Sequence, residues 1–455
     1  MKKVIKNRIF LIIVLCIISC GIGVYAAVTY KASDVLYIST DGTSMTVNDA
    51  LNELYNNMNI GGCESKVATP TLGAGMIPVT ISDDGTVTYA DTNSNWYNYC
   101  DRKWANAVIL SSGSYRVGDT IPESSIQSYF VWIPRYRYKL WNTGTASKTK
   151  HLIEIEFETK DTTPSTGSNN GEWLTHPAFT SFNSNGFWVG KFETGYNGAT
   201  STSAAQVNSS DTSKVIIKPN VYSWRYITVG NIFLTSYNYK RDLDSHMMKN
   251  TEWGAVAYLS HSQFGIGTEV NINNSDSRKT GYSALPSTDQ LTFPGITGDG
   301  DNYNQPYNTE IGYLASTTGN ITGVYDMSGG TWEYVAGYIS GKTGSSGLTP
   351  TNYDLKYFDI YKSDSEMESW SNRILGDATG EIGPCKFYLD GDSNGRYHNG
   401  WYADYANFAS SNSNLIWFYR GGSNSNGLLA GQFAFAVNTG ETKSWVGFRI
   451  VLTPQ

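Results

Sequence analysis

A chain of 455 residues with 46 Gly, 32 Tyr, 17 Phe and 13 Trp but only 16% charged residues lacks the Lys/Glu-rich surface of a helical bundle. Single cores seldom grow past about 250–300 residues, so this length implies one large folded unit with smaller pieces. A net charge of −7 and a pI near 5.3 give no electrostatic footprint for a polyanion, so nucleic acid is not an expected partner.

Lys2, Lys3, Lys6 and Arg8 precede an uncharged apolar run from Ile9 to about Val28, the layout of an export leader. Its end has three readings. Val24-Tyr25-Ala26 suits cleavage before Ala27, Ile17-Ile18-Ser19-Cys20 suits lipidation, and an apolar run of about twenty residues is also long enough to remain as a membrane anchor. Each places the remainder outside the cytoplasm, at a bacterial cell surface or beyond it. Residues 29–62 read as a neck. Ser33 to Thr46 is turn-rich, and Val47, Leu51, Leu54 and Met58 repeat at helical spacing behind Thr46 as N-cap and before Gly61-Gly62. Such a helix, about three turns long, needs a neighbour or a second copy, so an oligomeric form stays open.

Residues 63–128 read as a small β-rich unit, with strands expected at Met76–Ile81, Thr86–Tyr89 and Ala107–Leu110 between Asp-Gly and Ser-Gly turns. Cys63 and Cys100 bracket it. A disulfide between them would close a loop of about 38 residues and contribute roughly 3–4 kcal/mol on the chain-entropy model; unpaired thiols are the alternative. From residue 129 to 455, β-like runs at Phe130–Pro134, Leu152–Phe157 and Phe187–Phe192 lie among long Gly/Ser/Asn/Thr connections. The expected class is α+β with many irregular loops.

Asp390, Asp392 and Asn394 reproduce the first half of a calcium loop, with oxygens at alternating positions and Gly395 at the turn. The closing Glu is missing, and Asp404 is the nearest replacement. Calcium is the one cofactor candidate, against a plain solvated turn.

Five segments then occur in order. They are Gly-Phe-Trp-Val-Gly-Lys-Phe-Glu at 186–193, Asn-Thr-Glu-Trp-Gly-Ala-Val-Ala-Tyr at 250–258, Gly-Val-Tyr-Asp-Met-Ser-Gly-Gly-Thr-Trp-Glu-Tyr-Val at 323–335, Arg-Gly-Gly-Ser at 420–423 and Gly-Phe-Arg at 447–449. Together they resemble the formylglycine-generating-enzyme and sulfatase-modifying-factor family, which implies a divergent C-type-lectin-like fold for 129–455. In the 250–258 segment Thr251 is the expected cap. Trp332 and Phe448 would then be large buried framework residues, with Arg420 and Arg449 pairing inside to Asp326 or Glu333. The family's oxidising members carry two copper-holding cysteines after the Arg-Gly-Gly-Ser segment, and its iron-dependent relatives need a histidine triad. Here no cysteine follows Ser423, Cys385 stands alone, and the five histidines show no ligand spacing. The expectation is a protein without catalysis.

The last forty residues resemble variable C-type-lectin proteins diversified by retroelements, in which fixed Gly and aromatic positions alternate with projecting ones. That resemblance implies a binding face of Asn424, Asn426, Gln432, Ala434, Ala436, Asn438, Lys443, Ser444 and Trp445; separately from it, the polar loops 195–213 and 342–352 are expected to flank the same face. The composition is that of a paratope, rigid aromatics beside adaptable small polar groups. The expected function is recognition or adhesion through a protein or glycan on another surface. The alternatives are an enzyme of this scaffold with altered chemistry and a structural part of a pilus or envelope assembly.

Overall fold

The computed structural model describes residues 36–38, 44–46, 67–140, 153–167, 171–275, 277–284, 304–341, 344–361, 402, 404–407 and 414–455. The leader, the expected neck helix, Cys63, Cys385 and the Asp390, Asp392 and Asn394 positions lie outside them. The chain divides into two compact units, Met1–Gly62 and Cys63–Gln455. In the first, the segment read as turn-rich contains an antiparallel hairpin, Leu36–Ile38 against Ser44–Thr46.

The second unit is mostly β, with two α-helices among its described residues, and so belongs to the α+β class. Its larger sheet has seven antiparallel strands in the order His246–Met247, Ile450–Leu452, Gly186–Gly190, Ile126–Pro134, Asn106–Leu110, Met76–Ile81 and Val87–Tyr89. The expected boundary at 128/129 is therefore corrected. The strands read as a small separate unit are three of the seven in this sheet, and Ile126–Pro134 pairs with Asn106–Leu110 across the supposed boundary. Their apolar runs bury both faces: Val79, Ala107, Val108, Phe130, Val131, Trp132 and Ile133 are all buried, an arrangement a half-solvated sheet would not show.

A second sheet runs Asp359–Tyr361, Trp332–Ile339, Trp417–Gly421, Gly431–Asn438, Ala406–Asn407, and Val446–Phe448 also pairs with Trp332–Ile339. The chain leaves this sheet at Phe448 and enters the first at Ile450, so Arg449 is the joint between them. A third sheet, Ile153–Phe157, Tyr136–Leu140 and Leu174–Thr175, turns Tyr136, Tyr138, Ile155 and Phe157 inward and pairs Arg137 with Glu156 and Lys139 with Glu154 outside.

Helix α1, Val229–Tyr239, starts where the Thr228 hydroxyl accepts the Asn231 amide at 3.3 Å. Helix α2, Asn250–Ser260, begins with the Glu-Trp segment and is buried on every side. Thr251 is not its cap. The cap is Lys249, whose amide donates to the Glu252 carboxylate at 2.8 Å, while the Thr251 amide donates to Asp359 at 2.7 Å.

Candidate functional site

Arg449 sets the framework. Its guanidinium takes both oxygens of Glu333, at 2.6 and 3.1 Å, and donates to the Gly190 carbonyl at 2.8 Å, tying one sheet to the other. Arg420 does not make the expected pair with Asp326 or Glu333: it donates to the Ala434 and Gln432 carbonyls and to the Asn250 side chain at 2.8 Å. Asp326 instead gathers main-chain and amide N–H groups from Glu193, Gly281 and Asn273. Trp332 and Phe448 are buried framework residues.

Around this frame the nine residues read as one binding face separate into two groups. Gln432, Ala434, Ala436 and Asn438 lie in the strand Gly431–Asn438, where every side chain is buried. They are removed from the face because that strand is internal to its sheet and packs on α2: the Gln432 carbonyl accepts from Trp253 Nε1 at 2.7 Å, and its Nε2 donates to Ser260 at 3.1 Å. Asn424 is also buried, its amide and side chain donating to Gly330 and Ser275. Asn426, Lys443 and Trp445 are partly exposed, and Ser444 is exposed. These four lie on two neighbouring turns joined through the segment 329–332. Asn424 N donates to the Gly330 carbonyl at 3.0 Å, and Trp332 N donates to the Trp445 carbonyl at 3.1 Å. The Trp445 ring leans on Tyr419 at 5.7 Å, which meets Trp332 at 4.6 Å.

A residue without a sequence signal completes the arrangement. Tyr226 is 47% exposed and sits at φ 58°, a left-handed conformation that costs a bulky side chain roughly 1–3 kcal/mol. Its neighbours enforce it. Tyr226 N donates to the Lys443 carbonyl at 3.0 Å, buried Trp224 and Ile227 flank it, and Arg225 reaches the Ser444 carbonyl on one side and Thr202 on the other. Of the polar loops expected nearby, 195–213 touches this turn, Thr202 through Arg225, while 342–352 bonds to the segment before it, Ser345 N donating to the Thr439 carbonyl at 2.6 Å. Tyr226, Lys443, Ser444 and Trp445 are thus held on pinned backbone, with Asn426 on the adjoining turn, where Asn426 Oδ1 accepts the Ser423 amide at 2.7 Å. The chain matches no family model and no curated protein. Rigid aromatics and short polar groups on fixed backbone suit recognition, because little conformational freedom is lost when a ligand docks.

Of the expected calcium ligands only Asp404 is described. It is buried, its Oδ2 accepts Phe433 N at 2.9 Å, and a Cβ on Gly431 would come within 2.0 Å of it. Among the described residues no group of three or more His, Cys, Asp or Glu is placed to hold a metal. Cys100 is disulfide-bonded, and its expected partner Cys63 is outside the described residues.

Proposed function

We propose that this chain is an exported, surface-exposed recognition protein whose C-type-lectin-like head binds a protein or glycan without catalysis, through Tyr226, Asn426, Lys443, Ser444 and Trp445. The observation that carries the reading is Tyr226, an exposed aromatic kept in a strained left-handed backbone by buried neighbours on both sides. Strain of that kind persists only where the surroundings over-determine it, and it clusters at ligand-contacting sites. The non-catalytic part is supported by the stretch after Ser423, which has no cysteine to serve as a copper ligand.

The test is a printed array of bacterial and host glycans and surface proteins, probed with the full chain and with Y226A and W445A. Aromatic anchors of this sort typically contribute about 2 kcal/mol or more, so each variant should lose at least about tenfold in affinity for any ligand found. Array signals that persist at full strength in both variants, or no saturable signal at all, would overturn the assignment.

A further inference from the structure

Beneath the proposed face lies a buried acid cluster that the recognition chemistry leaves unused, and the role assigned to it rests on that reading of the face. Glu193, Asp326 and Glu333 are 0%, 1% and 1% exposed. Arg449 takes Glu333 with both arms, and Asp326 receives N–H groups from Gly281, Glu193 and Asn273. Glu193 is served differently. Its Oε1 accepts the Thr331 amide at 2.7 Å and lies so close to Gly330 that a Cβ there would sit 2.4 Å away, whereas its Oε2 has no hydrogen-bond partner among the described residues.

A carboxylate buried with one oxygen unmet, beside two more carboxyls, is strongly disfavoured against the neutral acid. Burial raises the Glu193 pKa well above the usual carboxylate range, and the Asp326 and Glu333 charges push it further up; the Thr331 amide and the Ser223 hydroxyl, which lies near the carboxyl but makes no hydrogen bond of ordinary geometry to it, offset only part of this. Arg225 faces Glu193 from the neighbouring segment, with Arg278 beside it, but the Arg225 N–H groups go to oxygens of Ser223, Ser444 and Thr202.

We infer that Glu193 is a positioning residue for the recognition face and works as the neutral acid: protonated, it holds the segment 329–332, and ionised, it releases it. The path is short. Thr331 N rests on Glu193, the next amide rests on the Trp445 carbonyl, and Gly330 offers its carbonyl to Asn424 and to Arg278. Loosening that segment frees Trp445 and the Asn424–Asn426 turn together, while the surrounding strands keep their own pairings.

The sign follows from linkage. With the folded-state pKa raised, the stabilisation from Glu193 is complete below its unfolded value and disappears as pH rises through the folded one. Glu193→Gln keeps the acceptor for Thr331 N and has no charge to gain, so it mimics the neutral acid at every pH. Hydrogen exchange at the Thr331 and Trp332 amides, measured on the full chain and on E193Q, should show a wild-type to variant ratio that climbs about tenfold per pH unit above the ordinary carboxylate range until Glu193 titrates in the folded state. Superimposable profiles overturn the inference. Should E193Q fail to fold, infrared spectra of the wild-type chain and of Glu193→Met supply the reading: since Glu333 is itself raised to about 7, a buried-carboxyl carbonyl stretch that is present in the wild type and lost in E193M supports the neutral acid, and a band unchanged in E193M, or none in the wild type, overturns it. Neither measurement uses a ligand, so either can fail while the binding assignment survives.

Discussion

His176 shows how a single residue records its surroundings. Its ring is fully buried among Tyr136, Tyr138, Phe179 and Tyr258, and its Nδ1 accepts the Ala178 amide at 3.3 Å, which leaves the proton on Nε2. Burial, with a smaller contribution from the Lys249 charge, lowers its pKa to about 3. An unfolded chain takes up a proton near pH 6.5, whereas the folded one resists until about pH 3, so folding stability falls across that window by roughly 1.4 kcal/mol per pH unit. His176→Asn retains an acceptor for Ala178 and cannot titrate there. Urea denaturation at stepped pH should show a shallower acid loss in H176N than in the wild type; equal slopes would show that His176 is not the group responsible. The slope is the readout, since the variant also removes ring contacts. Tyr226 and Glu193 are illegible in the sequence for related reasons. Nothing in Ser-Trp-Arg-Tyr foretells a left-handed tyrosine, and Glu193, though it closes the 186–193 segment, reads as an ordinary strand-end acid until Gly330 and Thr331 are folded onto it.

The strand Gly431–Asn438 carries the clearest lesson among the elements. Its alternation of Gln432, Ala434, Ala436 and Asn438 with Phe433, Phe435 and Val437 has the period of a half-exposed strand, and the resemblance to variable C-type-lectin proteins implies that the small and polar members face a ligand. Internal position overrides period, and both sets are buried. The small residues mark close approach instead. At Gly431 a Cβ would meet the Asp404 carboxylate at 2.0–2.2 Å, so Gly431→Ala forces that buried acid off the Phe433 amide. We expect a loss of about 1–3 kcal/mol, read as a lower urea midpoint with unchanged slope; an unchanged midpoint would mean that Asp404 is not fixed there. Other elements are plain from residues alone. The strands at 76–81, 87–89 and 106–110 stand where β-branched runs between Gly turns put them, and α2 begins with the Glu-Trp segment. Helix α1 is hidden because Val229, Ile232, Phe233 and Tyr237 carry strand-like propensity, which packing of Phe233 against Tyr353 and Phe358 overrides.

For the whole molecule, the sequence indicates an α+β chain and misleads on the division of its parts. Local pattern cannot report that Ile126–Pro134 pairs backward to 106–110 and forward to 186–190, which makes one sheet of segments that read as two units. The same long-range closure brings Tyr226 beside Lys443 and Thr202 beside Ser444 through Arg225. These contacts make the two sheets a rigid base and concentrate the aromatic and polar display at one margin. The central claim is that recognition takes place at that margin, and the most direct measurement is a hydrogen-exchange footprint of the full chain with and without a ligand drawn from the array. Protection confined to the amides around 226, 423–428 and 441–446 is the expected result. Protection elsewhere, with those amides unchanged, would contradict it.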